Sequence, residues 1–435
     1  MTIRGVFSEI VSQSMFRARE KIGPAALTIL LIFVCLSLVF MLDAGADFEA
    51  GLRAYEAGNY ETAMREFLSA AERGSGEAQA FLGEMYRKGE GVPQDYQKAA
   101  NWYRRAADQG IVDAQYNLGV MYERGEGVVQ NYQEGARWFR KAAEQGFAEA
   151  QYSLGWMYVN GQGVEQKNYQ EAIEWFLRAA EQGNLKAQYS LGWVYVSGQE
   201  GPQDFHEARK WWQLAAEQGV ARAQYGLGWM YEKGTGVTQD YKEAAQWFQK
   251  AADQDNLEAQ YSLGWLYAHG KGVAKDEQTA VGWYRLAAEK GLPMAQYSLG
   301  KMFAKGAGVA QDFQKAEKWY RLAAAQGVAE AQSTVGKMYL QGQGVRQNYQ
   351  EAEGWFRKAA DQGDPHGQHL LGMMYRDGLG RERDDVEAYK WFTLSATQGH
   401  EDAVRDGEAL TSEMEAAHIT EAQRRVQQWH EKHAR

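Results

Sequence analysis

The chain has 435 residues, 45% hydrophobic and 24% charged, a length that by itself suggests two to four domains. Forty-eight Gly, 15 Trp and 25 Tyr beside 5 Pro exclude a disordered linker, a coiled coil and a disulfide scaffold. Lys plus Arg at 47 against Asp plus Glu at 57 gives −10, which argues against nucleic acid as a ligand. The one cysteine, Cys35, leaves neither an intramolecular disulfide nor a cysteine zinc site.

Residues 24–42, PAALTILLIFVCLSLVFML, carry no charge. As a helix rising about 1.5 Å per residue they span roughly 28 Å, close to the hydrocarbon thickness of a bilayer. Arg4, Arg17, Arg19 and Lys21 precede them, and Asp43, Asp47 and Glu49 follow. The basic stub 1–23 is therefore expected in the cytoplasm, 24–42 as a single-pass signal anchor, and everything beyond across the membrane. In a Gram-negative cell that body faces the periplasm. Ala44-Gly45-Ala46 offers the alternative, cleavage and secretion near Ala46. The body has no cysteine and the chain no Asn-x-Ser/Thr acceptor, which fits export into a bacterial envelope.

Everything else repeats. Leu-Gly recurs at Leu82, Leu118, Leu154, Leu191, Leu227, Leu263, Leu299 and Leu371, with Val335-Gly336 in the remaining slot. Every interval is 36 residues except one of 37. Fixed periods of this size mean a solenoid, whose units bury their apolar faces only against their neighbours. In one unit, Ala114, Leu118, Gly119 and Tyr122 mark one face of a first helix, A. Gly125 and Gly127 stop it. Asn131 and Glu134 have capping-box spacing and start a second helix, B. Ala136, Trp138, Ala142 and Ala143 form its buried face, with the tryptophan filling the space between layers, and Gly146 ends it. Trp102, Trp175, Trp211, Trp247, Trp283, Trp319, Trp355 and Trp391 repeat the marker of helix B. Two units depart locally: SGQEGPQD (197–204) replaces the Gly-x-Gly-Val turn, and Asp255 stands where the others have their terminal glycine.

Leu-Gly-x-x-Tyr, Gly-x-Gly-Val, a capped Trp-aromatic helix and Ala-Ala-x-Gln-Gly at this period resemble the Sel-one-like repeat family, a branch of the tetratricopeptide-related superfamily. The resemblance covers 76–400 as nine repeats. Residues 47–75 look like a plain tetratricopeptide unit, with Gly51, Gly58, Tyr60, Ala63, Phe67 and Ala70 at its spacing. Residues 401–435 depart from the repeat and read as C-terminal capping helices. The resemblance implies an all-α, right-handed superhelical solenoid of helix-turn-helix repeats. It also implies an adaptor without enzymatic chemistry, which binds protein or peptide on the concave face lined by helices A.

On that face, the position two before each leucine holds Tyr116, Tyr152, Tyr189, Tyr225, Tyr261 and Tyr297. The position two after it holds Trp156, Trp193, Trp229 and Trp265. Four residues apart, the two rings share one side of the helix, and successive units extend them into a double aromatic ladder suited to peptide or sugar. The competing reading is that these rings only wedge helices together. For the tryptophans, the rest of the slot argues against it: Glu84 and Val120 precede the run, and Lys301, Lys337 and Met373 follow. A glycan of the cell wall or an exported polysaccharide is the alternative ligand, and a cell-wall hydrolase a more distant one. The Gly-x-Gly turns follow helices and not strands, so they are no nucleotide loop. His366 with His369, and His430 with His433, lack an evident third ligand. No carboxylate pair stands out as general acid and base. No metal, cofactor or catalytic residue is expected.

Overall fold

The computed structural model describes residues 44–198 and 203–433. The described residues form 22 α-helices and no strand. Helices α1 (44–56) and α2 (Tyr60–Glu72) come first. Nine helix pairs, α3 to α20, run from Gly76–Lys88 with Tyr96–Asp108 to Pro365–Asp377 with Asp385–Ala396. Helices α21 (Glu401–Thr411) and α22 (Ala416–His433) close the chain. The apolar run 24–42 and the SGQEGPQD turn's residues 199–202 lie outside the described residues. Among the described residues no helix is long and apolar enough to cross a membrane. The chain divides into two compact units between Asp204 and Phe205, and the packing below holds within each.

The second pair shows why these residues fold this way. Helix α5 (Val112–Arg124) ends at Gly125, whose φ of 74° is left-handed and whose N–H, with that of Glu126, returns to the Met121 carbonyl. The next glycine serves a different need. A Cβ on Gly127 would stand 2.1 Å from the Tyr96 carbonyl oxygen of the preceding pair, so only glycine lets the loop cross that backbone. Asn131 then caps α6 (Tyr132–Glu144), its Oδ1 accepting from the Gln133 and Glu134 amides at 3.0 and 3.1 Å.

The Leu-Gly pair has a packing reason. Leu118 and Phe139 are fully buried, and a Cβ on Gly119 would meet the Phe139 ring at 2.7 Å. The same approach recurs at Gly155 under Phe176, Gly228 under Phe248 and Gly264 under Tyr284. The residue after the marker tryptophan, rather than the tryptophan itself, is the one that closes each pair. Burying such a ring is worth roughly 1.5–3 kcal/mol. Trp138 and Trp175 are buried between successive pairs, each in one cluster with the preceding B helix and its own A helix, and Trp102, Trp283, Trp319 and Trp355 remain partly exposed. A cation three residues on covers several of them: Lys141 over Trp138 at 3.9 Å, Arg178 over Trp175 at 4.5 Å and Lys250 over Trp247 at 3.9 Å.

Successive pairs are stitched by a buried glutamine. Gln115 Nε2 donates to the Ala107 carbonyl of the preceding pair at 3.1 Å, while its Oε1 accepts from Gln145 at 2.8 Å. Gln151 with Ala143 and Gln182, and Gln296 with Ala288 and Gln326, repeat the arrangement. Each amide thereby adds a second donor to a helix-end carbonyl that already accepts from the terminal glycine N–H, and its own buried polar atoms are paired in return. Asp255 is the one described non-glycine residue with positive φ, at 65°. In the following pair Lys290 replaces the expected glutamine and binds Asp255 at 2.5 Å. Gln260 Oε1 is left buried without a partner.

Candidate functional site: the aromatic face of the A helices

All ten aromatic positions read from the sequence lie on A helices and are partly exposed. In the first unit, α5 carries Tyr116, α7 (Ala148–Asn160) carries Tyr152 and Trp156, and α9 (Leu185–Ser197) carries Tyr189 and Trp193. In the second, α11 (Ala221–Lys233) carries Tyr225 and Trp229, α13 (Leu257–His269) carries Tyr261 and Trp265, and α15 (Pro293–Lys305) carries Tyr297.

The tyrosines and tryptophans have different surroundings. Tyr116 lies 5.6 Å from Phe139, Tyr152 5.8 Å from Phe176, Tyr225 5.7 Å from Phe248, Tyr261 5.7 Å from Tyr284 and Tyr297 5.5 Å from Tyr320. Each therefore props the ring that covers the glycine of its own pair, which gives the recurrence a packing reason. Burial pushes the phenols of Tyr116, Tyr225 and Tyr297 up; for Tyr225 the nearby Glu258 and Glu232 add to it.

The tryptophans lie one turn further along the same helices. In the first unit Trp156 lies edge-on to Tyr152 and Phe176, and 6.1 Å from Trp193. Its Nε1 is buried with no acceptor. In the second unit Trp229 and Trp265, with Tyr225 and Tyr261, line a cleft of about 590 Å³. Leu292 and Met294 of the next pair extend its apolar wall, and Glu232, Lys233 and Glu258 give it a charged rim. One face of Trp265 is already occupied: His269 stacks on it at 4.5 Å and bonds the Trp265 carbonyl through Nδ1 at 2.8 Å. A second cleft of about 600 Å³ in the first unit is lined by Arg137, Arg140, Lys141, Glu144 and Glu171. It is polar, and Arg140 already bonds the Tyr158 hydroxyl at 2.5 Å.

Outside the tryptophan run, the same slot does other work. Glu84 accepts from Arg87 at 2.6 Å and from the Tyr103 hydroxyl at 2.6 Å, with Lys88 at 3.1 Å. Burial pushes its carboxyl up, but these partners outweigh burial and hold it down at about 2. Lys301 and Lys337 are exposed, Lys301 with its Nζ 5.5 Å from the Tyr297 ring centroid.

The histidines of the ninth pair have a neighbour that the repeat does not announce. His366 and His369 are joined by a third ring, His400, which bonds His366 Nδ1 through Nε2 at 2.9 Å and lies 4.7 Å from His369. The sequence hid this because the partner stands at the far end of the ninth repeat, at the N-cap of α21. Among the described residues no group of three or more His, Cys, Asp or Glu is placed to hold a metal. At the chain end, His433 stacks on Trp429 at 4.2 Å.

The 36-residue grammar, the stacked pairs and the aromatic face together identify the family. The Sel1 repeat model matches residues 76–111, 112–147, 148–184, 185–220, 221–256, 257–292, 293–328, 329–364 and 365–400. The chain belongs to the Sel1 repeat family. Proteins with such repeats generally mediate protein–protein interaction and are typically non-catalytic scaffolds. Among solved structures, this Sel1 repeat chain is similar to a protective antigen of uropathogenic Escherichia coli displaying an SLR fold. The identity is 37% over 89% of this chain and 92% of that one, with a TM-score of 0.54. It is also similar to a Sel1 repeat protein from Oxalobacter formigenes, at 32% identity over 72% of this chain and 90% of that one, with a TM-score of 0.60. No curated protein matches it.

Proposed function

We propose that this protein is a non-enzymatic, membrane-anchored adaptor that holds a protein partner against the tryptophan-lined face of its A helices. The observation that carries the reading is the cleft of about 590 Å³ between Trp229 and Trp265, apolar in its walls and charged at its rim. Large aromatic side chains with a polar tip give much contact area at little entropic cost, which is why such residues dominate protein interfaces. The slot then passes from Trp229 and Trp265 to the exposed Lys301 and Lys337. That order favours a partner segment whose apolar side chains enter the cleft and whose acidic residues follow. A stiff array presents these contacts prearranged, which lowers the ordering cost of binding. Residues 24–42 would confine the complex to the membrane and raise its local concentration.

The test is in-cell photocrosslinking from positions 258 and 262, which line the cleft, with Trp229→Ala/Trp265→Ala as the control. A defined protein that disappears with the tryptophans, while the melting transition is kept, supports the adaptor. Capture of glycan alone, or of nothing that depends on the two rings, overturns it. A reporter fused after Arg435 should be active only outside the cytoplasm; cytoplasmic activity refutes the proposed topology.

A further inference from the structure

We propose that the His366–His400 pair is an acid-sensitive latch that holds the closing helices α21 and α22 against the ninth helix pair. The argument is one of hydrogen-bond valence. His400 is the N-cap of α21, and its Nδ1 accepts from the Ala403 amide at 3.3 Å. An accepting Nδ1 carries no proton, so the proton of the neutral ring is on Nε2. That Nε2 lies 2.9 Å from His366 Nδ1, which must then be the acceptor. Both rings are thus held neutral and in one tautomer. A further proton on His400 Nδ1 turns the cap acceptor into a donor facing an amide. A further proton on His366 Nδ1 sets two donors against each other. Reversing the ring-to-ring bond puts a proton back on His400 Nδ1 and loses the cap. Whichever ring is protonated, one of the two bonds breaks.

The surrounding charges do not relieve this. From α19 (Pro365–Asp377) and its cap come Asp364, His366, His369 and Arg376; from α21 come Asp402, Arg405 and Asp406. Asp364 is engaged by Ser333 and by the Gly367 amide. Asp406 bonds His369 Nε2 at 2.7 Å and Arg376 at 3.1 Å, and Asp402 pairs with Arg405. The positive end of the α21 dipole also disfavours a cation at its cap. From the remaining neighbour, α20 (Asp385–Ala396), the ring facing His369 is Phe392. Burial, then His369 and His366, push His400 below its ordinary 6.5, while Asp402 and Asp364 oppose more weakly. A histidine neutral in the capped state and free to titrate once it opens leaves the cap complete above about 6.5. The cap then loosens as pH falls below that value. What it covers is apolar: Phe392, Leu394 and Leu410 are buried, with Val426 and Trp429 packed against them.

The test compares the full-length chain with His400→Asn, since asparagine caps a helix and does not titrate. Nitrogen-15 histidine spectra at pH 7.5 should show His400 unprotonated at Nδ1. Hydrogen-exchange protection of 401–433, corrected for the intrinsic rate, should fall by up to about tenfold per pH unit between 6.5 and 5.5. The same segment in His400→Asn should keep its protection. A proton on His400 Nδ1 at pH 7.5, protection indifferent to pH, or an equal loss in His400→Asn overturns the latch.

Discussion

Substituting Gly228 by alanine tests whether the glycine of the repeat exists to admit a ring. A Cβ at 228 would stand 2.5 Å from Phe248 Cδ1 and 2.6 Å from Cε1, whereas carbon atoms rest at about 3.5–4.0 Å. The ring would have to withdraw by about 1 Å. It has nowhere to go, being fully buried with Ala244, Leu263 and Leu266 in one cluster. Overpacking of this kind costs about 1–3 kcal/mol. Phe248→Ala should cost about 3–5 kcal/mol through lost burial and the cavity it leaves. With the ring gone, the three atoms nearest the added methyl are gone as well. The double variant should therefore be no less stable than Phe248→Ala alone, an interaction term of about 1–3 kcal/mol in the compensating direction. Urea denaturation of the full-length chain followed by circular dichroism measures it. The denaturant slope should be compared across all variants, because a repeat array can lose cooperativity. Costs that simply add to within about 0.5 kcal/mol would show that Phe248 is not what the glycine accommodates.

Gly354 gives the opposite expectation: nothing lies within 4 Å of an added Cβ, and it sits inside the helix Tyr349–Asp361. Gly354→Ala should stabilise by about 0.5–1 kcal/mol; a lower melting temperature would contradict it. Lys290→Gln should restore the missing donor to Gln260 Oε1 and stabilise by about 1 kcal/mol. The lost Lys290–Asp255 pair is too exposed to offset that, and unchanged stability would mean the orphan costs nothing. Glu84, held at about 2, contributes stability that is full above about 4.5 and is lost as pH falls through that value towards 2. Glu84→Gln should therefore cost about 1–2 kcal/mol at pH 7, after discounting for solvent screening. The difference should shrink in acid, and denaturation curves at pH 7 and 3 that differ equally from wild type would refute the assignment.

The repeat was legible because its signals are local and reiterated. Gly125 and Asn131 act within their own turns, so their spacing alone announces a stop and a start. Phe139 and Gln115 were harder, since their partners sit in another helix or another repeat. The glutamine ladder was nevertheless visible in principle: Gln79, Gln115 and Gln151 hold one register, and a long polar side chain repeated on an apolar face asks for a buried partner. The tryptophan fills the space between pairs but is not the ring over the glycine. It is conspicuous because it is large, yet the ring that touches the glycine is its neighbour, and the two cannot be told apart without knowing which way helix B turns.

The same contrast bears on the candidate site. The tyrosines at 116, 152, 225, 261 and 297 each have a ring beneath them that the repeat itself supplies, so their recurrence follows from the fold. The slot four residues on has no such fixed requirement. It holds an ionic knot at Glu84, tryptophan from 156 to 265, and exposed lysine at 301 and 337. Where the fold demands one residue type, repeats converge; where it demands none, the residues answer to something outside the fold. Within the second unit that unconstrained slot and the cleft coincide at Trp229 and Trp265, which is why a partner is best sought there rather than among the more regular tyrosines.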